Sequence, residues 1–456
     1  LLGCVTDTAM YPISGLIPDF TIQQKKDALL MAQEQLFSYG LTSAMNAGTS
    51  VEYLNEVYRP LYESGQLKLR SYLLMSLSST EGEQADYLRT TAPQGGLYNN
   101  HMDVRAVKLF SDGSLGARSA AMLEDYSDRA GHTGNNRYTD DEMYALVKLA
   151  YENGYQMGSH AIGDAANHQL LDCYEKVLAE NPREDHRLRI EHFQILTLDD
   201  IQRAINMGVL PSMQTTHATS DMLMAEDRIG TERIKGAYAW RTIIDSGSII
   251  INGTDAPVEL VNPYHSLYAA VTRKSRLGEP PEGWHPEQCM TREEALRSYT
   301  NWPAYGEFNE DLKGSLEVGK LADFVVIDRD YMTCPEEDIK DIQALLTVSG
   351  GEVVYQKDTS VPTIMWNGLP LTFNSELIVE PGKIYVPLND VINGISAEKR
   401  ADGASMLVTL NGKSIKLPVK TVDGVDYVAV RALFEGLGRN VTWYGDSRCV
   451  SIGWLK

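Results

Sequence analysis

The chain has 456 residues, 43% of them hydrophobic, and no apolar run near 18 residues, so it reads as a soluble globular protein of two or three domains with no transmembrane segment. Its 41 basic and 62 acidic side chains leave a formal charge of −21, which would repel a polyphosphate backbone and argues against nucleic acid as a partner. The five cysteines (Cys4, Cys173, Cys289, Cys334, Cys449) are odd in number and never spaced as CxxC, so neither a disulfide framework nor a thiolate metal site is expected.

The sequence opens on LLGCVTDTAM without an initiator Met, which predicts a start inside a longer protein. From there a short β-branched or apolar run, a polar loop and a helical stretch recur seven times. The strand candidates are 40–48, 67–76, 105–110, 155–160, 187–192, 209–214 and 248–255. Helical patterns fall between them, for instance at 141–154 and 164–181, each ending near a Gly or Pro stop. This alternation predicts parallel strands joined by right-handed crossovers, in either a (β/α)8 barrel or a doubly wound open sheet.

Polar residues at strand ends favour the barrel. His160 closes YQMGSH, His192 closes RLRIEH and Asp255 closes SIIINGTD, three donors at strand ends that a barrel mouth would bring together. No GxGxxG or GxxxxGK[ST] follows any strand, so the nucleotide-binding open sheets lose their usual signature. Each residue also has a plainer role open to it: a hydrogen-bonded structural histidine, Asp255 as a helix cap, and Lys108 paired with Asp112. An unpaired buried ammonium would be too costly to persist. His217 follows a strand and is intermediate, whereas His101, His132, His168, His186 and His285 are expected to be structural or solvated.

VKLFSDGSLGARSA (107–120), HAIGDAA (160–166), RIEHFQ (189–194), NGTDAPV (252–258) and GSLEVGKLADFVVIDRD (314–330) resemble the successive motifs of the metal-dependent amidohydrolase superfamily, specifically amidohydrolase family 3, which includes N-substituted formamide deformylases. The resemblance implies that Lys108 reacts with carbon dioxide to form a carbamate bridging two divalent metals. It implies His160 and His192 as ligands of one metal and Asp255 as ligand of the other and proton carrier. Zinc suits these donors best, with iron, manganese or nickel as alternatives. A metal-bound hydroxide would then hydrolyse a C–N bond of a small-molecule amide, with His217 stabilising the oxyanion or orienting substrate and Arg118 meeting an anionic substrate group. A cyclic amide hydrolase or deaminase is an alternative, as is a catalytically inactive barrel serving as an envelope binding protein.

Family members carry an HxH pair on the first barrel strand, and this chain contains no HxH. The expectation is therefore a TIM-type barrel lacking its first strand over 1–312, with two metals in the full-length protein, one in this chain, and little activity alone. Residues 313–361 are expected to be the remnant of a small composite β domain. Residues 362–456 resemble the copper amine oxidase N-terminal-like, or stalk, domain, an α+β module; this segment contains no histidine and no metal role is expected there. Such modules imply an extracellular or envelope location in a Gram-positive bacterium, with a cytoplasmic one as alternative, and envelope association; a homodimer is a further expectation.

Overall fold

A computed structural model of the chain describes residues 10–402, 405–445 and 447–454. Seven parallel strands form its main sheet: β1 (Ser43–Thr49), β2 (Arg70–Ser76), β3 (Met102–Phe110), β4 (Gln156–Ala161), β5 (Arg189–His192), β6 (Leu210–Met213) and β7 (Ile251–Asn252), paired in that order. They are the seven expected strands. The last is much shorter than the run 248–255: pairing begins only at Ile251, and beyond Gly253, whose N–H still bonds the Met213 carbonyl, Asp255 turns into a left-handed conformation with φ 52°. A three-residue segment, Gln94–Gly96, adds antiparallel to β3. Among the described residues no ladder joins β1 to β7, so the sheet curls without closing.

Helices pack on the outer face. α1 (Ile22–Ser38) and α2 (Asp140–Glu152) each begin with a reciprocal capping box, Thr21 with Gln24 and Thr139 with Glu142, which satisfies two otherwise orphaned backbone donors. α3 (Asp164–Glu180) buries Leu170, Leu171, Tyr174 and Val177. The outward strand residues, such as Leu73, Val107, Leu109, Met157 and Ile190, join these helices in one apolar core. The inner face holds a smaller plug of Tyr72, Leu74 and Ala106. Above that plug the inner face turns polar, and the site lies there.

Three antiparallel strands follow, β8 (Phe324–Ile327), β9 (Ala344–Ser349) and β10 (Glu352–Gln356), in the order β10-β9-β8. Beyond residue 362 the structure changes to short strands and two helices around a second core, drawn from residues 364–452. There β11 (Thr363–Trp366) pairs in parallel with β12 (Cys449–Trp454). Among the described residues no helix is long and apolar enough to cross a membrane, and Cys173, Cys289, Cys334 and Cys449 are free thiols.

Candidate metal centre

Strand alternation places Ala106, Lys108 and Phe110 on the inner face of β3. Lys108 is only 4% exposed and makes no ion pair among the described residues; its ammonium lies 4.8 Å from the Phe110 ring centroid. Burial holds its pKa below the ordinary lysine value, with Glu191 and Asp255 pulling the other way. The expected partner is elsewhere. Asp112 lies beyond the strand end and accepts hydrogen bonds from the backbone N–H groups of Ala121, Ile162 and Gly163. The loop after β3 folds back over this carboxylate, so it braces the loop and leaves Lys108 alone.

Asp112 also approaches His160 Nε2 at 3.2 Å, and the Gly113 carbonyl lies 3.1 Å from the same nitrogen. His192 Nδ1 is 2.8 Å from Gln214 Oε1. Oxygen acceptors thus fix both tautomers and leave His160 Nδ1 and His192 Nε2 as the nitrogens available to a ligand, the arrangement of metal-bound histidines with outer-shell partners. The two ring centroids are 4.4 Å apart. Alternation alone would turn His192 away from Glu191 and out toward the helices. Left-handed backbone at His192 (φ 75°) and Phe193 (φ 45°) swings it back, a conformation that costs about 1–2 kcal/mol outside glycine.

His217 stacks on His192 at 5.7 Å between centroids, and its buried Nε2 has no hydrogen-bond partner. Burial lowers its pKa to about 4, so it is neutral at physiological pH. Asp255 is exposed toward a cavity of about 1180 Å³ that it lines with Lys108, Glu191, His192 and Gln214. Surrounding protein raises its carboxyl above the usual range, against the pull of Lys108 and His160. It caps no helix; α4 (Pro263–Thr272) is capped by Asn262.

Arg118 is not brought to this group: its guanidinium is held bidentately by Asp128 at 2.7 and 3.0 Å. Of the histidines set aside, His101 and His186 bond backbone carbonyls, His168 bonds Asp200, His285 bonds Glu226 and Glu287, and His132 bonds the Arg118 carbonyl. Sequence reasoning missed a buried ion pair, Arg189 with Glu191, on the inner face of β5. Its signal was present: opposite charges two positions apart within a buried strand must share one face.

The donor chemistry can be tested against a metal. Among the described residues no three His, Cys, Asp or Glu side chains converge closely enough to hold an ion. The two imidazoles nevertheless have their outer-shell partners in place, and the third group facing them is the unpaired Lys108. The donor chemistry of the two imidazoles fits a divalent metal, with Lys108 and Asp255 as the nearby polar groups.

A curled, open parallel sheet that gathers imidazoles, a carboxylate and a buried lysine at its strand ends defines an α/β protein of half-barrel form. The chain belongs to the amidohydrolase family, whose profile matches residues 1–355. It is 30% identical over 361 residues to the protein YtcJ of Bacillus subtilis (strain 168), covering 78% of this chain and 66% of that one. It is 29% identical to the protein LONG AFTER FAR-RED 3 of Arabidopsis thaliana, covering 77% and 61%, and 28% identical to the N-substituted formamide deformylase of Arthrobacter pascens, covering 56% and 46%. The matches thus span about two thirds or less of these relatives. An uncharacterized metal-dependent hydrolase from Pyrococcus furiosus superposes with a TM-score of 0.59 at 29% identity, covering 71% of this chain and 64% of the other.

Proposed function

We propose that this chain carries the main site of a metal-dependent hydrolase that cleaves the C–N bond of a small amide-type substrate. The observation that carries the reading is Lys108: a buried amine with no ion pair among the described residues, lining the same cavity as His192, against which His160 packs at 4.4 Å between ring centroids. Removing an ammonium from water without a partner costs several kcal/mol, so the neutral amine is favoured. A neutral amine can attack carbon dioxide: the nitrogen lone pair forms the new N–C bond, one N–H proton leaves to water, and the product is a carbamate anion.

His160, His192 and the Lys108 carbamate would hold one divalent ion, zinc first, and Asp255 would face a second. Such an ion supplies a polarised substrate carbonyl and a water that ionises near neutrality. The chain's own groups do the rest. His217, neutral and with Nε2 unpartnered, hydrogen-bonds the substrate oxygen, and Asp255 takes a proton and delivers it to the leaving nitrogen. The gap between β1 and β7 supports a further strand there that would bring the second ion's remaining donors. An extracytoplasmic location remains our reading from the C-terminal resemblance.

The test is elemental analysis after incubation with Zn²⁺ and bicarbonate. About one equivalent should be retained by this chain and lost in Lys108→Ala. Zero in the unmodified chain overturns the metal reading, and full retention in the variant overturns the role given to the lysine. Amine release from N-formyl and N-acyl amines should be feeble, and turnover at rates typical of a complete enzyme would contradict the need for a further strand.

A further inference from the structure

The ion pair inside the barrel has no obvious structural purpose. Arg189 is fully buried; it donates to Glu191 from Nε (2.9 Å) and Nη2 (3.0 Å), and from Nη2 to Ser212 Oγ (3.0 Å), while Ser212 donates to Glu191 Oε2 at 2.6 Å. Apolar residues of similar volume commonly stabilise an interior as well as a buried ion pair does. One donor is left over: Arg189 Nη1 is buried without a hydrogen-bond partner. An orphan of that kind is normally removed or satisfied.

Register shows what lies opposite. Lys108 pairs with Gly158 across β3 and β4, and Gly158 pairs with Arg189 across β4 and β5. The three form one row on the inner face, with the first and last about 9.6 Å apart at two strand spacings. The middle residue has no side chain. A Cβ at Gly158 would fall 2.5 Å from Leu74 Cδ2 and 2.9 Å from Glu191 Oε1, so Leu74 and the carboxylate that holds Arg189 share the space the glycine leaves beside Lys108. Lys108 and Arg189 thus rise from opposite ends of one row, across a residue with no side chain of its own.

We propose that Arg189 is a positioning residue for the modified lysine: its spare Nη1–H is the donor for a carbamate oxygen on Lys108, and Glu191 with Ser212 clamps the guanidinium in that orientation. This rests on the carbamate reading above. Before modification the donor has no acceptor; joining carbon dioxide to Lys108 Nζ creates an anionic one in the same row. Glu191 also keeps the guanidinium from standing as a lone buried charge, so the wall remains neutral until the carbamate arrives.

The measurement is Zn²⁺ retention by the full chain as a function of bicarbonate, with the carbamate carbon followed by ¹³C NMR after ¹³C-bicarbonate labelling. The double variant Arg189→Met with Glu191→Gln avoids leaving one buried charge alone. It should need at least tenfold more bicarbonate for half-maximal retention and should show a weakened carbamate signal, with cooperative melting preserved. Should that variant not fold, Ser212→Ala loosens the clamp without removing a charge, and a rise of severalfold is expected. Wild-type bicarbonate dependence in the folded double variant, or in Ser212→Ala when the double variant does not fold, overturns the proposal. An unmodified chain that retains Zn²⁺ without bicarbonate and shows no carbamate signal overturns the carbamate reading, and this inference with it.

Discussion

Gln214 decides which nitrogen of His192 can face a ligand. Its Oε1 sits 2.8 Å from Nδ1, so Nδ1 carries the proton and Nε2 keeps its lone pair toward the cavity. The backbone of His192 is already strained, so ring orientation depends on this side-chain contact as well as on the turn. Gln214→Leu keeps much of the volume and removes the acceptor. Loss of such an outer-shell partner typically weakens metal affinity tenfold to a hundredfold, and that is the expected result in a Zn²⁺ competition titration against a chromophoric chelator. Unchanged affinity would show that the turn alone orients the ring. Asp255 carries a second consequence. In the metal-free chain burial holds its carboxyl above the ordinary aspartate range, so its side-chain ¹³C signal should titrate above that of a free aspartate. Titration at or below the free value would show that burial does not govern this carboxyl.

At the scale of elements, the strands were legible because buried parallel strands are continuous apolar runs bounded by turn residues, and all seven candidates hold. Their termini carried His160 and Asp255 into view for the same reason. What periodicity could not show was departure from it. His192 follows the pleat until the backbone turns left-handed, and Asp112 belongs to a returning loop, so neither position can be placed by counting in twos. Gly158 is a related case, since a glycine in a strand reads as a weak point until the opposing side chain is known. Its Cβ would meet Leu74 Cδ2 at 2.5 Å as well as Glu191, and no left-handed φ is involved, so Gly158→Ala is a purely steric change. Overpacking of this kind costs about 1–3 kcal/mol, to be read from urea denaturation midpoints; a neutral effect would mean that the inner wall yields easily.

His265, absent from the sequence-level candidates, joins two elements. It sits on α4, its Nε2 donates to the Gly368 carbonyl at 2.8 Å, and its Nδ1 is buried without a partner. Burial lowers its pKa from 6.5 to about 4. The folded state therefore binds fewer protons than the unfolded state between those values, and stability falls as pH drops from about 6.5 toward about 4, by up to about 3 kcal/mol from this residue. His265→Asn keeps a donor and removes the titration. The difference in melting temperature between pH 7 and pH 4.5 should be smaller in the variant than in the parent chain; equal differences would show that acid acts elsewhere.

Taken whole, the chain has two apolar cores that share no residue: one drawn from residues 37–342, the other from 364–452. What joins them is mostly polar. Ser447 donates to Asp328 at 2.7 Å, Ser451 to Asp341 and Tyr444 to Asp338, and Arg329 lies 3.4 Å over the Tyr444 ring. Polar junctions of this kind resemble transient interfaces more than a continuous core, and they couple the stabilities of their two sides weakly. The second unit closes on itself, because β11 near its start pairs with β12 near its end, so both ends of that segment are tied into one sheet. Residues 362–456 expressed alone should therefore fold with a cooperative thermal transition. The full chain should show two transitions in calorimetry, one of them within a few degrees of the isolated segment. The acidic residues beneath the junction add a directional effect: Asp341 is fully buried and its carboxyl raised by that burial. Removing the segment exposes this carboxyl to water and lets it ionise normally, so the remaining barrel should lose the contact with Ser451 yet shed that desolvation cost. Its transition should then move only slightly. A single transition for the whole chain, together with an unfolded isolated segment, would instead make the polar junction part of one cooperative unit.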